Sequence, residues 1–108
     1  MLSDRNRELL IVAMCDDSLR LVQLLSIPGD EAQVSIPLQK VMRLTVTSGC
    51  SGIVLAHNHL SGELRPSKND LALTKRLAIA TESVDIQILD HLIFSSGPPF
   101  SFRQHGLL

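Results

Sequence analysis

His57, Asn58 and His59 stand directly behind the apolar run Ile53-Val54-Leu55-Ala56. In an extended chain residues two apart share a face, so a strand ending here projects both imidazoles together, in line with Ile53 and Leu55. That is the geometry of two metal ligands. Seven residues separate His59 from Ser67, and Ser67-Lys68-Asn69-Asp70 then opens a segment with helical apolar spacing. Ser-x-x-Asp has the form of a capping box, with Ser67 at the N-cap and Asp70 reaching back to a free backbone N–H. Asp70 also keeps the i, i+3, i+7 spacing of Leu73 and Leu77, which turns its carboxylate toward whatever that helix packs on. A carboxylate buried there needs a partner, and a metal held by the two histidines satisfies it. Two neutral imidazoles and one carboxylate form the three-ligand set that catalytic zinc uses while keeping its fourth position for water. Zinc so held brings the pKa of water toward roughly 7 and polarises a carbonyl, so the chemistry to expect is attack on an amide. A carboxylate is still wanted to take the proton. Glu8, at the head of the first apolar run, supplies it if that run lies beside the strand of the histidines; a glutamate at a strand entrance is otherwise a solvated end residue.

Three other readings of the histidine pair fit less well. His57-Asn58-His59 followed by Glu63 resembles part of a cupin motif, but Asp70 stands where that motif expects a glycine, and a helix follows where it needs a strand. Zinc deaminases combine H-x-E with P-C-x-x-C, and neither occurs in the sequence. An amidohydrolase H-x-H belongs to a barrel of at least about 200 residues, which this chain is too short to form.

The elements that must position these groups follow from hydrophobic patterning. Leu9–Cys15 is a short apolar run bounded by Asp16-Asp17-Ser18, and Leu19–Leu25 is a second, ending at Ile27-Pro28-Gly29-Asp30; together they read as paired strands. Pro37 suits the first turn of a helix, Leu38, Val41, Met42 and Thr45 fall on one face of it, and Gly49 is placed to end it. Ile53–Ala56 is apolar on both parities, as expected of a central strand. A second helix is predicted from about Ser67 to Ser83, with Leu73, Leu77, Ala80 and Val84 on one face. Asp85–Phe94 and the turn Ser95-Ser96-Gly97-Pro98-Pro99 complete one or two more strands. Strands alternating with two helices mean an α/β layered domain.

The chain of 108 residues is 44% hydrophobic and 19% charged, which fits one folded domain and excludes a disordered chain. A domain of this size needs no metal or disulfide merely to hold together, so a metal would be functional. Ten Lys+Arg against eleven Asp+Glu give a net charge of −1, which supplies no basic field for strong nucleic-acid binding. Cys15 and Cys50 lack C-x-x-C spacing and read as reduced thiols of a cytoplasmic protein. The apolar run Leu9–Cys15 is far short of the roughly 20 residues of a membrane span, and it has no cleavage site of a signal peptide.

The string His57-x-His59, seven residues, Ser67, two residues and Asp70 matches the H-x-H-x7-S-x2-D signature, and in this the chain is similar to the JAB/MPN (JAMM) metalloproteases. Within that superfamily it resembles the RadC-like branch. AHNHLSGELRPSKNDLALTKRL, ILDHLIF and the terminal SFRQHGLL look like RadC segments, and Glu8 stands eight residues before Asp16 as the family's strand glutamate does before its own Asp. The resemblance covers essentially the whole chain. It implies an α/β, JAB/MPN-type three-layer domain, a curved mixed β-sheet flanked by two main helices, with residues 1–108 forming a single domain. It further implies one zinc ion per chain held by His57, His59 and Asp70, with Glu8 as general base and then general acid. Ser67 would hydrogen-bond the oxyanion, a role that is weightiest where water is excluded. The substrate implied is a peptide or an isopeptide-linked protein.

The chain departs from that pattern in places. Leu60 follows the second histidine where RadC sequences usually carry Pro, and Leu38-Gln39 follow Pro37 where the family tends to carry Arg-Glu. RadC-like proteins often carry an N-terminal helix-hairpin-helix region, which is not expected here, and this weakens the link to DNA repair. The competing reading is a non-catalytic module that binds a protein or DNA-repair partner and keeps the metal for stability. Asp90-His91 reads either as a pair orienting a ligand or as a structural pair at a strand junction. Glu63 is the substitute base if Glu8 points away. His105 and Lys75-Arg76 read as solvated, and the segments Gly29–Ile36 and Leu60–Pro66 as loops that would select the scissile chain. Gly106-Leu107-Leu108 either packs internally or meets a second subunit of a homo-oligomer.

Overall fold

The computed structural model describes residues 8–29, 37–59 and 62–108. The first apolar run becomes β1 (Glu8–Cys15), where Glu8, Leu10, Val12 and Met14 are buried and the residues between them half-buried. This alternation is what a strand with one face on the core requires. β2 (Leu21–Gly29) pairs antiparallel with it, Glu8 opposite Gly29 and Val12 opposite Leu25. The strand starts and ends later than the apolar pattern suggests. Asp16 accepts hydrogen bonds from the backbone N–H groups of Ser18 and Arg20, which draws Leu19 into the turn at φ +63°. At the other end Pro28 stays in the strand because β2 is the outermost strand of the sheet, where a missing donor is tolerated.

α1 (Leu38–Ser48) begins after Pro37 and stops at Gly49, whose φ of +73° is the left-handed conformation that ends helices cheaply. β3 (Gly52–Asn58) lies beside β1, antiparallel, with Leu10 opposite His57. α2 (Lys68–Glu82) connects β3 to β4 (Gln87–Phe94), which runs parallel to β3, and β5 (Phe100–Ser101) closes the sheet in the order β2-β1-β3-β4-β5.

The α/β class and the mixed sheet with two helices are as expected. Val41 of α1 and Leu77 of α2 enter one core cluster with Leu10, Val12, Met14, Ile53 and Leu55, so among the described residues both helices cover the same face of the sheet. The topology dictates this: the connections β2-α1-β3 and β3-α2-β4 advance across the sheet in one direction between strands that run alike, and crossovers of one hand then share a side. The face of α2 is rotated from the apolar reading. Asp70, Thr74, Leu77 and Thr81 are the buried positions, whereas Val84 lies beyond the helix and is exposed. The threonines go inside because their hydroxyls find partners, Thr74 in His91 and Thr81 in the carbonyl of Ala78. Among the described residues no helix is long and apolar enough to cross a membrane, and Cys15 and Cys50 are both free.

Candidate metal centre

The C-terminal end of β3 delivers the histidines. His57 continues the inward row of Ile53 and Leu55 and is buried. His59 lies just past the strand, yet its backbone N–H still donates to the carbonyl of Phe94 on β4, which keeps the extended geometry for one more step. The two rings meet edge to face with centroids 4.7 Å apart. The Nδ1–H of His59 donates to the backbone carbonyl of Glu63 at 2.8 Å, aiming Nε2 at the N-terminus of α2.

That N-terminus is capped as its sequence suggests. Ser67 Oγ accepts from the backbone N–H of Asp70 at 3.0 Å, and Asp70 Oδ2 accepts from the N–H of Ser67 at 2.8 Å. Asp70 is only 2% exposed, and the same Oδ2 accepts from His59 Nε2 at 2.9 Å while Oδ1 lies 3.3 Å from His57 Nδ1. Capping the helix and facing the two imidazoles are thus one arrangement of Asp70 rather than alternatives. The box fixes the carboxylate, which bonds the His59 ring and lies beside that of His57.

Glu8 enters from β1. It sits two residues before Leu10, the partner of His57, and therefore on the same face; its Oε1 lies 3.5 Å from His57 Nε2. The expected neighbouring carboxylate is in place because β1 and β3 are adjacent. Glu63 offers its backbone to His59 while its side chain is exposed.

The electrostatics follow from this packing. Burial, ahead of the opposing pull of Asp70, holds His57 below the ordinary histidine pKa. The hydrogen bond to Asp70 raises His59 above its ordinary value. Burial alone would raise the Asp70 carboxyl, but bonds from His59 and Ser67 and the two imidazoles hold it at about 2.

The residues present fit a divalent cation. Both ring nitrogens of His57 are buried and have no hydrogen-bond partner, although carboxylate oxygens lie near each. A buried imidazole without a partner is costly, and an ion taking its lone pair removes part of that cost. One donor atom each from His57, His59 and Asp70 lie within 4.8 Å of one another, and among the described residues no other such cluster occurs. Imidazole nitrogen and carboxylate oxygen are a donor set that zinc takes.

Asp90 and His91 do not form a pair that orients a ligand. Neighbours on a strand face opposite ways, and the Asp90 carboxylate turns to the C-terminal segment, accepting from Ser101 Oγ at 2.6 Å and from the Arg103 N–H at 3.0 Å. His91 faces the helices. Its Nδ1 lies 2.6 Å from Thr74 Oγ1, its ring stacks on Phe102 at 4.3 Å, and its other side approaches His57 with centroids 6.0 Å apart. Burial first, then the nearby His57, pull its pKa down to about 4, so at neutral pH it is an uncharged wall of the site. Its Nε2 is buried without a hydrogen-bond partner.

Other positions carry less. Ser67 is exposed at the rim and, among the described residues, its hydroxyl proton donates to no other group. Lys75 and Arg76 are exposed on α2, as is Gln39 on α1, while Leu38 packs on the core. His105 stacks on Phe100 at 4.0 Å and its Nδ1 bonds the carbonyl of Ser101, so it is tied to the fold. Leu108 packs against the core and Leu107 is exposed. Leu60 and residues 30–36, read as site loops, lie outside the described residues. Sequence reasoning passed over Asn58, Thr74 and Phe102, which reach the site's surroundings by contacts across the fold. Only Asn58 carried a local signal, as a polar residue between two that share the opposite face.

The sequence matches the RadC-like JAB domain family over residues 1–107. A UPF0758 protein of Aquifex aeolicus is 40% identical over 107 residues, which cover 97% of this chain and 46% of the relative. The UPF0758 protein YeeS of Escherichia coli is 46% identical over 70 residues, covering 65% of this chain and 47% of the relative. A UPF0758 protein of Aliivibrio fischeri is 35% identical over 107 residues, covering 98% and 48%. The chain spans about half the length of the curated relatives it matches, and their names state no activity.

Proposed function

Because the chain belongs to the RadC-like JAB domain family, we propose that it is a zinc-dependent hydrolase that cleaves a peptide or isopeptide bond in the cytoplasm. The observation that carries this reading is the gathering of buried His57 and Asp70 with half-buried His59 and with Glu8 beside them. Held by the first three, a zinc ion would supply Lewis acidity for the scissile carbonyl and would lower the pKa of water toward about 7.

The chain's own groups do the rest. Glu8 Oε1, lying on the inner face next to His57, takes the proton of the attacking water and returns it to the leaving amine. Its burial keeps bulk water from competing for that proton. Ser67, whose Oγ already accepts from the backbone of Asp70, donates its hydroxyl proton to the oxyanion that develops on the carbonyl. The carbonyl of Glu63 holds the ring of His59, and Ser67 N–H holds Asp70, so both ligands are oriented before anything binds. His91 and Phe102 close the inner side with an uncharged surface.

The test is turnover of a panel of peptides and isopeptide-linked conjugates by the zinc-loaded chain and by Glu8→Gln. The expected result is cleavage by the first and its loss in the second with zinc still bound. Cleavage at the same rate by Glu8→Gln would remove Glu8 from the mechanism, and no cleavage by the zinc-loaded chain of any substrate in the panel would count against the hydrolase.

A further inference from the structure

The backbone pairing of β1 with β3 runs from Cys15 opposite Gly52 to Leu10 opposite His57 and ends there. Glu8 is two residues further on. Continuing the same register by one residue sets Leu9 opposite Asn58, and at that rung the side chain takes over from the backbone. Asn58 Oδ1 accepts the N–H of Leu9 at 2.6 Å, a bond between residues 49 positions apart in sequence. β2 cannot take this N–H, since it lies on the other side of β1. Asn58 is 4% exposed, and because neighbours on a strand alternate, it faces away from the centre into which His57 and His59 project. Its amide therefore serves neither as a ligand nor as a solvated loop group. It extends the ladder by one hydrogen bond at the residue that adjoins Glu8.

We propose that Asn58 is a positioning residue for Glu8, clamping the start of β1 to the end of β3 through the Leu9 N–H so that the Glu8 carboxylate stays beside His57. This rests on the reading of Glu8 as the proton carrier. The strand that bears the ligands and the strand that bears the carboxylate are locked together by the residue lying between the two histidines. A neutral acceptor suits the place, since it fixes the backbone without adding a charge next to Glu8 and His57.

The experiment measures amide hydrogen exchange, the Glu8 carboxyl carbon resonance and steady-state kinetics on the zinc-loaded chain and on Asn58→Ala and Asn58→Asp. The alanine variant should lose protection at Leu9 by about tenfold or more while Val12 and Leu55, deeper in the same strands, stay protected. Zinc content should be unchanged, the Glu8 resonance should move, and kcat should fall with KM retained. Asn58→Asp keeps an acceptor of the same reach and should restore protection at Leu9. Unaltered exchange at Leu9 in Asn58→Ala overturns the clamp. A loss of protection along both strands that the aspartate variant does not rescue also overturns it, making Asn58 a general structural residue. Lost protection at Leu9 with the Glu8 resonance and kcat unmoved refutes the link to Glu8. A wild-type chain without turnover would count against the hydrolase alone, because exchange at Leu9 and the Glu8 resonance still decide the clamp.

Discussion

Acidification of the metal-free protein provides a measurable consequence of burying His91. The ring is fully enclosed between Phe102, Thr74 and His57, and its pKa is pulled from 6.5 to about 4. In the unfolded chain the same histidine takes up its proton near pH 6.5, so between these values the unfolded state holds more protons than the folded one. Stability from this residue is therefore complete above pH 6.5 and drains away as the pH falls toward 4. At about 1.4 kcal/mol per pKa unit, the loss relative to neutral pH is about 2 kcal/mol at pH 5 and about 3 kcal/mol at pH 4. Urea unfolding followed by far-ultraviolet circular dichroism suits a chain without Trp or Tyr. His91→Gln lowers stability at pH 7.5, since it gives up the stacking on Phe102, but it has no proton to gain. The gap between wild type and variant should thus narrow by about 2 kcal/mol between pH 7.5 and pH 5. Parallel stability curves for the two proteins would refute a neutral, buried His91.

Substitutions at two further positions separate the helix cap, the oxyanion donor and the core. Ser67→Ala should cost about 1 kcal/mol of stability through the lost cap and reduce kcat by roughly a hundredfold or more through the lost oxyanion donor; Ser67→Asp, which caps but offers no proton, should restore the urea midpoint and leave kcat low. Leu77→Ala, at a fully buried position where α2 enters the core, should cost about 2–5 kcal/mol in urea unfolding with zinc content unchanged, and a smaller loss would mean that this part of the core collapses around the gap.

How much of the site could be read in advance depended on how local each contact is. Strand parity alone puts His57 and His59 together, and helix periodicity alone turns Asp70 inward, so this cluster was legible from spacing. Glu8 was legible only conditionally, since its position beside His57 depends on β1 being the neighbour of β3. The capping box was read correctly as a form, but spacing could not reveal that Asp70 Oδ2 serves the cap and His59 at once. Val84 misled because an apolar residue at helical spacing does not reveal where the helix stops, and the threonines at 74 and 81 hid the true inner face behind polar side chains. The extent of β2 escaped for a similar reason: Asp16 organises the turn up to Arg20, and an edge strand tolerates Pro28. The bonds Asn58 to Leu9, Thr74 to His91 and Asp90 to Ser101 join distant parts of the chain and become visible only in the fold.

The central claim is that His57, His59 and Asp70 hold a catalytic metal, and elemental analysis of the protein purified without chelator tests it most directly beside His57→Ala and Asp70→Asn. With neither Trp nor Tyr in the chain, concentration is taken from amino-acid analysis. The account predicts about one zinc per chain in the wild type and none in either variant, each still folded by circular dichroism. A wild-type chain that stays free of metal after zinc is added back would contradict it, leaving the two histidines and Asp70 as a buried hydrogen-bonded cluster of the fold.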